Sequence, residues 1–255
     1  MDKIIESFKT FPQVKAIAIG GSSSAKTNDK SSDIDIYVFV EKDIPVIERE
    51  NIIKNFSEKY EVGAEYFGAG DEFLDKETNT VFDMMYWNTK WFEDIVDNVW
   101  VKHYPSNGYT TCFLYTLDIC KIVYDPTGWL QGLKDKINTE YPEELQKNII
   151  QRNMMLLKDK PFASYYEQIA KALARGDLNS VNHRIAAFLA SYFDIIFAKN
   201  KLLHPGEKRL VQYAKKHCKI LPKDFEENIN VLITNPNLEN LDKIIDNLRN
   251  IILKY

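Results

Sequence analysis

Two hydrophobic rhythms run along the chain, and the change from one to the other divides it. Val14 to Ile19 is an apolar run stopped by Gly20 and Gly21, the pattern of a buried strand entering a tight turn. From Asp33 to Val40, the apolar residues Ile34, Ile36, Val38 and Val40 alternate with Asp33, Asp35, Tyr37 and Phe39. Successive side chains of a strand take opposite faces, so the alternation puts Asp33 and Asp35 on one face. Ile4, Ile5 and Phe8 sit at helical spacing and predict a short helix that Phe11-Pro12 ends. Further strands are expected over 62–67, 80–87 and 119–124, with helices over 45–60, 91–101, 111–117 and 129–137. Gly68-Ala69-Gly70 reads as a loop, and Asp125-Pro126-Thr127-Gly128 as a turn.

After Pro142 the strand rhythm fades. Helical patterns run over 143–158, 163–175, 178–199, 207–217, 223–233 and 238–253. Gly176-Asp177, Pro205-Gly206, Leu221-Pro222 and Asn235-Pro236 separate them. Short connections make neighbouring helices antiparallel, which predicts a bundle. The expected class is α+β: an amino-terminal mixed sheet with flanking helices over 1–140, then a helical bundle over 141–255.

Composition narrows the picture. The chain has 255 residues, 45% hydrophobic and 27% charged, with a formal net charge of −4. That balance suits a folded globular protein and gives no support to a broadly basic nucleic-acid surface. Cys112, Cys120 and Cys218 form neither a disulfide framework nor a zinc spacing, so a reducing compartment, the cytoplasm, is expected. The first residues, MDKIIESFKTF, carry charges throughout and lack the apolar core of a signal peptide. No stretch approaches the roughly 20 apolar residues of a membrane span.

The chemistry concentrates at the first two strands. Paired carboxylates at the start of an apolar strand repel each other and resist burial, and a hard divalent cation such as Mg²⁺ relieves that conflict. Gly21 and Ser22 offer backbone N–H and hydroxyl donors of the kind that hold phosphate oxygens. The polar stretch 25–32 between them is expected to be exposed; Lys26 and Lys30 either meet a polyphosphate or are solvated.

The combination of Gly21-Ser22 with Asp33-Ile34-Asp35 resembles the nucleotidyltransferase superfamily that shares the DNA polymerase β-like catalytic core. More loosely, the whole chain, with a helical second half containing HPGEKR, resembles bacterial nucleotidyltransferases related to the aminoglycoside and lincosamide enzymes. The resemblance implies a third carboxylate on a neighbouring strand. Asp83, inside the apolar TNTVFDMMYW segment, is the candidate, because an unpaired charge there is costly. It further implies a Mg²⁺-dependent transfer, with two ions held by Asp33, Asp35 and Asp83. A nucleoside monophosphate would pass from a triphosphate, expected to be ATP, to a hydroxyl of a small-molecule acceptor, with release of pyrophosphate. Lys208 and Arg209 in HPGEKRL are expected in the first turn of a helix, where cations oppose the macrodipole. They are either phosphate ligands, Lys208 foremost, or solvated cations. Glu65 is either near the site or structural. Tyr165, Tyr166, Glu167, His183 and Arg184 are weaker candidates. The rival reading is a non-catalytic nucleotide-binding or antitoxin-like module on the same fold. A nucleic-acid acceptor and a membrane partner are not expected.

Overall fold

The computed structural model describes residues 1–20, 33–66, 68–160 and 162–253. The chain forms two compact units. The first comprises Met1–Asp97 and Thr116–Thr139, the second Asn98–Tyr115 and Glu140–Tyr255.

In the first unit, helix α1 (Asp2–Phe8) leads into strands β1 (Val14–Ile19) and β2 (Ile34–Val40). Helix α2 (Val46–Ile53), strands β3 (Tyr60–Ala64), β4 (Gly70–Leu74) and β5 (Val81–Asn88) and helix α3 (Thr89–Val96) follow. Helix α4 (Cys112–Ile119), which belongs to this unit from Thr116 onward, strand β6 (Lys121–Tyr124) and helix α5 (Trp129–Ile137) complete it. The six strands make one sheet in the order β3-β4-β5-β2-β1-β6. Among the described strands, the β2–β5 pairing is parallel and the other neighbouring pairs are antiparallel.

Side-chain alternation sorts the sheet into two faces. One face carries Ile17, Ile19, Ile36, Val38, Val40, Phe82 and Met84, packed against Ile4, Ile5, Phe8 and Ile53 of the helices. The other carries Tyr37, Phe39 and Trp87, whose rings pack with Phe92 of α3 and Trp129 of α5. Opposite these rings β1 presents small residues: Ala16 pairs with Phe39 and Ala18 with Tyr37. The small-against-large match lets the aromatic layer lie close to the backbone.

A buried ion pair ties α2 to the sheet. Arg49 donates to Asp71 at 2.8 Å, and Asp71 also accepts from the Gly63 N–H at 2.8 Å and the Tyr86 hydroxyl at 2.6 Å. The Arg49 guanidinium lies 4.4 Å from the centre of the Tyr86 ring. These partners offset the cost of taking both charges out of water.

Strand β4 is not among the strands that the hydrophobic pattern predicts. GDEFL is a weak strand pattern, yet Asp71 and Phe73 are buried and Glu72 is exposed, a period-two alternation whose inward acid is neutralised by Arg49. The helix expected over 45–60 stops at Ile53. There, turn bonds take over and the Ser57 hydroxyl donates to Leu74 O at 2.7 Å, pinning the chain to β4.

The second unit centres on α8 (Leu178–Lys199), in which every residue from Ala190 to Ala198 is buried. A helix that is apolar all round must be surrounded. Around it lie α6 (Glu143–Met154), α7 (Tyr165–Ala174), α9 (Leu210–His217), α10 (Phe225–Thr234) and α11 (Leu238–Leu253). The α8 and α11 boundaries coincide with the expected ones. Segment 98–115 belongs here because Asp194 of α8 holds it: Asp194 accepts from the Thr110 N–H at 3.0 Å, the Thr110 hydroxyl at 2.6 Å and Asn153 at 3.1 Å. Gly108, at φ +86, passes so close to α8 that a Cβ would lie 2.8 Å from Ala190.

Candidate active site

The parallel β2–β5 ladder sets the candidate site. Its register places Asp35 directly opposite Asp83. Register partners of a ladder share a face, so two carboxylates that lie 48 positions apart in sequence stand side by side, on strands about 4.8 Å apart. Both are partly buried. Glu72 of β4 pairs in turn with Asp83 from the other side, and is exposed. Asp33 immediately precedes β2 and is also exposed.

The carboxylates occupy the aromatic face. Tyr37 follows Asp35 by two residues and therefore shares its side of the strand. Its ring stacks on Trp87 at 4.6 Å. Burial, chiefly, and then the nearby Asp35, Cys120 and Asp83 push the Tyr37 phenol above the ordinary tyrosine range, which keeps it neutral. That Asp35 and Asp83 both act on one phenol agrees with the register. Gly20, at the end of β1, donates its N–H to Asp35 O at 2.9 Å. A Cβ on Gly20 would fall 2.2 Å from the Tyr37 ring, so only glycine fits there.

Like charges directly opposite one another in a sheet are destabilising. Two carboxylates fixed by backbone register therefore suit a hard divalent cation, for which carboxylate oxygens are fitting ligands. Among the described residues, no group of three or more His, Cys, Asp or Glu side chains is gathered in the arrangement of a metal centre. The structure brings together the Asp35–Asp83 pair, with Asp33 next to it along the chain.

Gly21 and Ser22, the expected phosphate donors, lie outside the described residues, as do Lys26 and Lys30. Lys208 belongs to the second unit and is exposed. It and Arg209 precede α9 rather than lying in its first turn: Arg209, in the left-handed conformation at φ 55, is the cap residue. Glu65 lies just past the end of β3 and is exposed. Glu167 faces Lys171 at 3.9 Å, Tyr166 donates to Asp242 at 3.2 Å, and His183 is exposed. Tyr37 and Gly20 enter the candidate site through the fold. The signal was present in the spacing Asp33-Asp35-Tyr37, which puts an aromatic ring on the acidic face.

Fold and sequence together define a class. Residues 2–66 match the family model described as Polymerase beta, Nucleotidyltransferase. This part of the chain is a nucleotidyltransferase domain of that family, and nucleotidyl transfer is its class of reaction. Residues 111–210 match a second model, a domain of unknown function, DUF4037. No curated protein matches the chain in sequence.

Among solved structures, the chain is similar to a nucleotidyltransferase-like protein from Exiguobacterium sibiricum 255-15. Identity is 9% and the TM-score 0.47, over 98% of this chain and 72% of that one. It is also similar to spectinomycin adenyltransferase AAD(9) from Enterococcus faecialis, solved with ATP and spectinomycin. Identity is 13% and the TM-score 0.32, over 98% of this chain and 99% of that one.

Proposed function

We propose that this protein is a Mg²⁺-dependent nucleotidyltransferase that moves a nucleoside monophosphate from a triphosphate, ATP in our reading, to a hydroxyl of a small-molecule acceptor. The observation that carries the proposal is the register pairing of Asp35, inside the matched residues 2–66, with Asp83 on the neighbouring strand β5. Neither residue type nor position is needed for packing: a face of aromatic and small residues would close more favourably without two adjacent carboxylates.

Asp33, Asp35 and Asp83 would hold the Mg²⁺, two ions in our reading, which when bound supplies stabilisation of the charge that develops on the transferring phosphate. The chain's own residues do the rest. Gly21 and Ser22 follow Gly20 directly and are assigned to the phosphates of the triphosphate. The acceptor oxygen forms a bond to the α-phosphorus as the bond from that phosphorus to the bridging oxygen breaks. The electron pair of the broken bond leaves with pyrophosphate. The hydroxyl proton passes to Asp83, or Asp83 contributes to the cation site that acidifies the hydroxyl.

The test is incubation with each α-labelled triphosphate and a panel of hydroxyl compounds in Mg²⁺, followed by mass spectrometry. A product heavier than its acceptor by one nucleoside monophosphate less a water, with stoichiometric pyrophosphate, supports the reading. Triphosphate binding without any transferred product across the panel favours the non-catalytic module instead.

A further inference from the structure

We propose that Tyr37 is a positioning residue: its ring, wedged between Gly20 and Trp87, sets where the end of β1 stands relative to the Asp35–Asp83 pair. The inference rests on the nucleotidyl-transfer reading and deepens it.

The geometry is specific. Gly20 is the last described residue before Gly21 and Ser22, and it is bonded through its N–H to the backbone of Asp35. A Cβ at position 20 would lie 2.2 Å from Tyr37 Cε2 and 2.8 Å from its hydroxyl oxygen. The ring thus fills the space that any other residue at position 20 would need. It has little room to retreat. Tyr37 is 8% exposed, and it stacks on Trp87 at 4.6 Å. Trp87 is itself stacked on Phe92 at 5.3 Å and edge-on to Phe39 at 5.7 Å. Phe39 and Phe92 are almost fully buried. A close-packed aromatic layer transmits a displacement rather than absorbing it.

The consequence is mechanical. The ring's position is fixed by the layer beneath, the end of β1 is fixed by the ring, and both carboxylates follow on the same face one pleat further along the ladder. The exit of β1 toward the phosphate donors therefore holds a set distance from the carboxylates. A displacement of about 1 Å in such a constellation is enough to cost about 100-fold in rate.

The experiment is a double-mutant cycle at positions 20 and 37 in the full-length protein, read as kcat and KM for the α-labelled triphosphate in Mg²⁺ and, in parallel, as Tm. Gly20→Ala and Tyr37→Ala are each expected to lower kcat/KM by about 100-fold. Tyr37→Phe, which keeps the ring, retains far more activity than Tyr37→Ala. The combined Gly20→Ala, Tyr37→Ala protein is expected to lose no more than Tyr37→Ala alone, about 100-fold rather than the about 10,000-fold of independent effects, because the smaller side chain makes room for the added methyl. A merely structural tyrosine would lower Tm in every variant without that coupling in kcat/KM. Additive losses, with the wild type active, overturn the proposal and leave the function reading intact. A wild type that neither binds nor transfers any triphosphate overturns both; coupling in Tm alone would then mark the contact as packing only.

Discussion

Replacing Asp83 by Asn is expected to raise stability and lower transfer activity together. Asp83 stands opposite Asp35 in the parallel ladder. With charges about 5 Å apart, the repulsion is about 0.8 kcal/mol in water and about 3 kcal/mol at an effective dielectric of 20. Both side chains are partly buried, so the relief on neutralising one falls between, at about 1–2 kcal/mol. Asn is close to isosteric, and the sheet position tolerates it. The expected result is a fold that is more stable by about 1–2 kcal/mol in EDTA, read as a higher urea midpoint at unchanged slope. Added Mg²⁺ stabilises the wild type by mass action and closes the gap, since the variant has lost a ligand. Transfer activity falls at the same time. If Asp83→Asn is instead less stable than the wild type in EDTA, the two carboxylates are not a destabilising pair, and the case for a cation there collapses.

The remaining predictions concern the scaffold and the second unit. Arg49→Met leaves the Asp71 carboxylate buried without its cation and should cost about 3–5 kcal/mol by urea denaturation. A loss below 1 kcal/mol would show that Tyr86 and Gly63 suffice to hold Asp71. Burial pushes the Asp194 carboxyl up to about 6 from the ordinary range near 3.8, so the folded state takes up its proton first. The contribution to stability is therefore present below pH 4 and is lost as pH rises to about 6, a change of about 3 kcal/mol. The difference between wild type and Asp194→Asn, measured by urea midpoints from pH 4 to pH 7, should carry that slope. A flat difference would refute it. Burial likewise holds His204 down to about 4, in the neutral form. His204→Phe should then remove a loss of stability that the wild type shows as pH falls from about 6.5 to 4.

Much of the fold is legible in the sequence because the strongest rhythms coincide with real burial. The β2 alternation is clean, with one face on the aliphatic layer and the other on the aromatic one. The α8 and α11 ranges follow from long apolar patterns bounded by Gly-Asp and Asn-Pro. Strand β4 is hidden because its inward residue is an aspartate, acceptable only with Arg49 and Tyr86 in place, and those lie 22 positions before and 15 after it. The pairing of Asp35 with Asp83 is a matter of register, which no local pattern specifies. The resemblance calls for a third carboxylate, and the cost of an unpaired charge in an apolar segment singles out Asp83. Tyr37 and Gly20 escaped notice for a similar reason: their meaning lies in a contact across strands, between a missing Cβ and a ring. Segment 98–115 joins the helical unit through Thr110 and Asp194, partners 84 positions apart that sequence proximity does not reveal.

The central claim is that Asp35 and its ladder partner make the chemistry. The most direct measurement follows α-labelled nucleotide transfer to the accepted hydroxyl compound by wild type and Asp35→Asn at equal concentration, with Mg²⁺ and with EDTA. Thermal unfolding is recorded for each protein. The account predicts Mg²⁺-dependent transfer by the wild type and a loss of at least 1,000-fold in Asp35→Asn, whose Tm is no lower. Undiminished transfer by Asp35→Asn would contradict it.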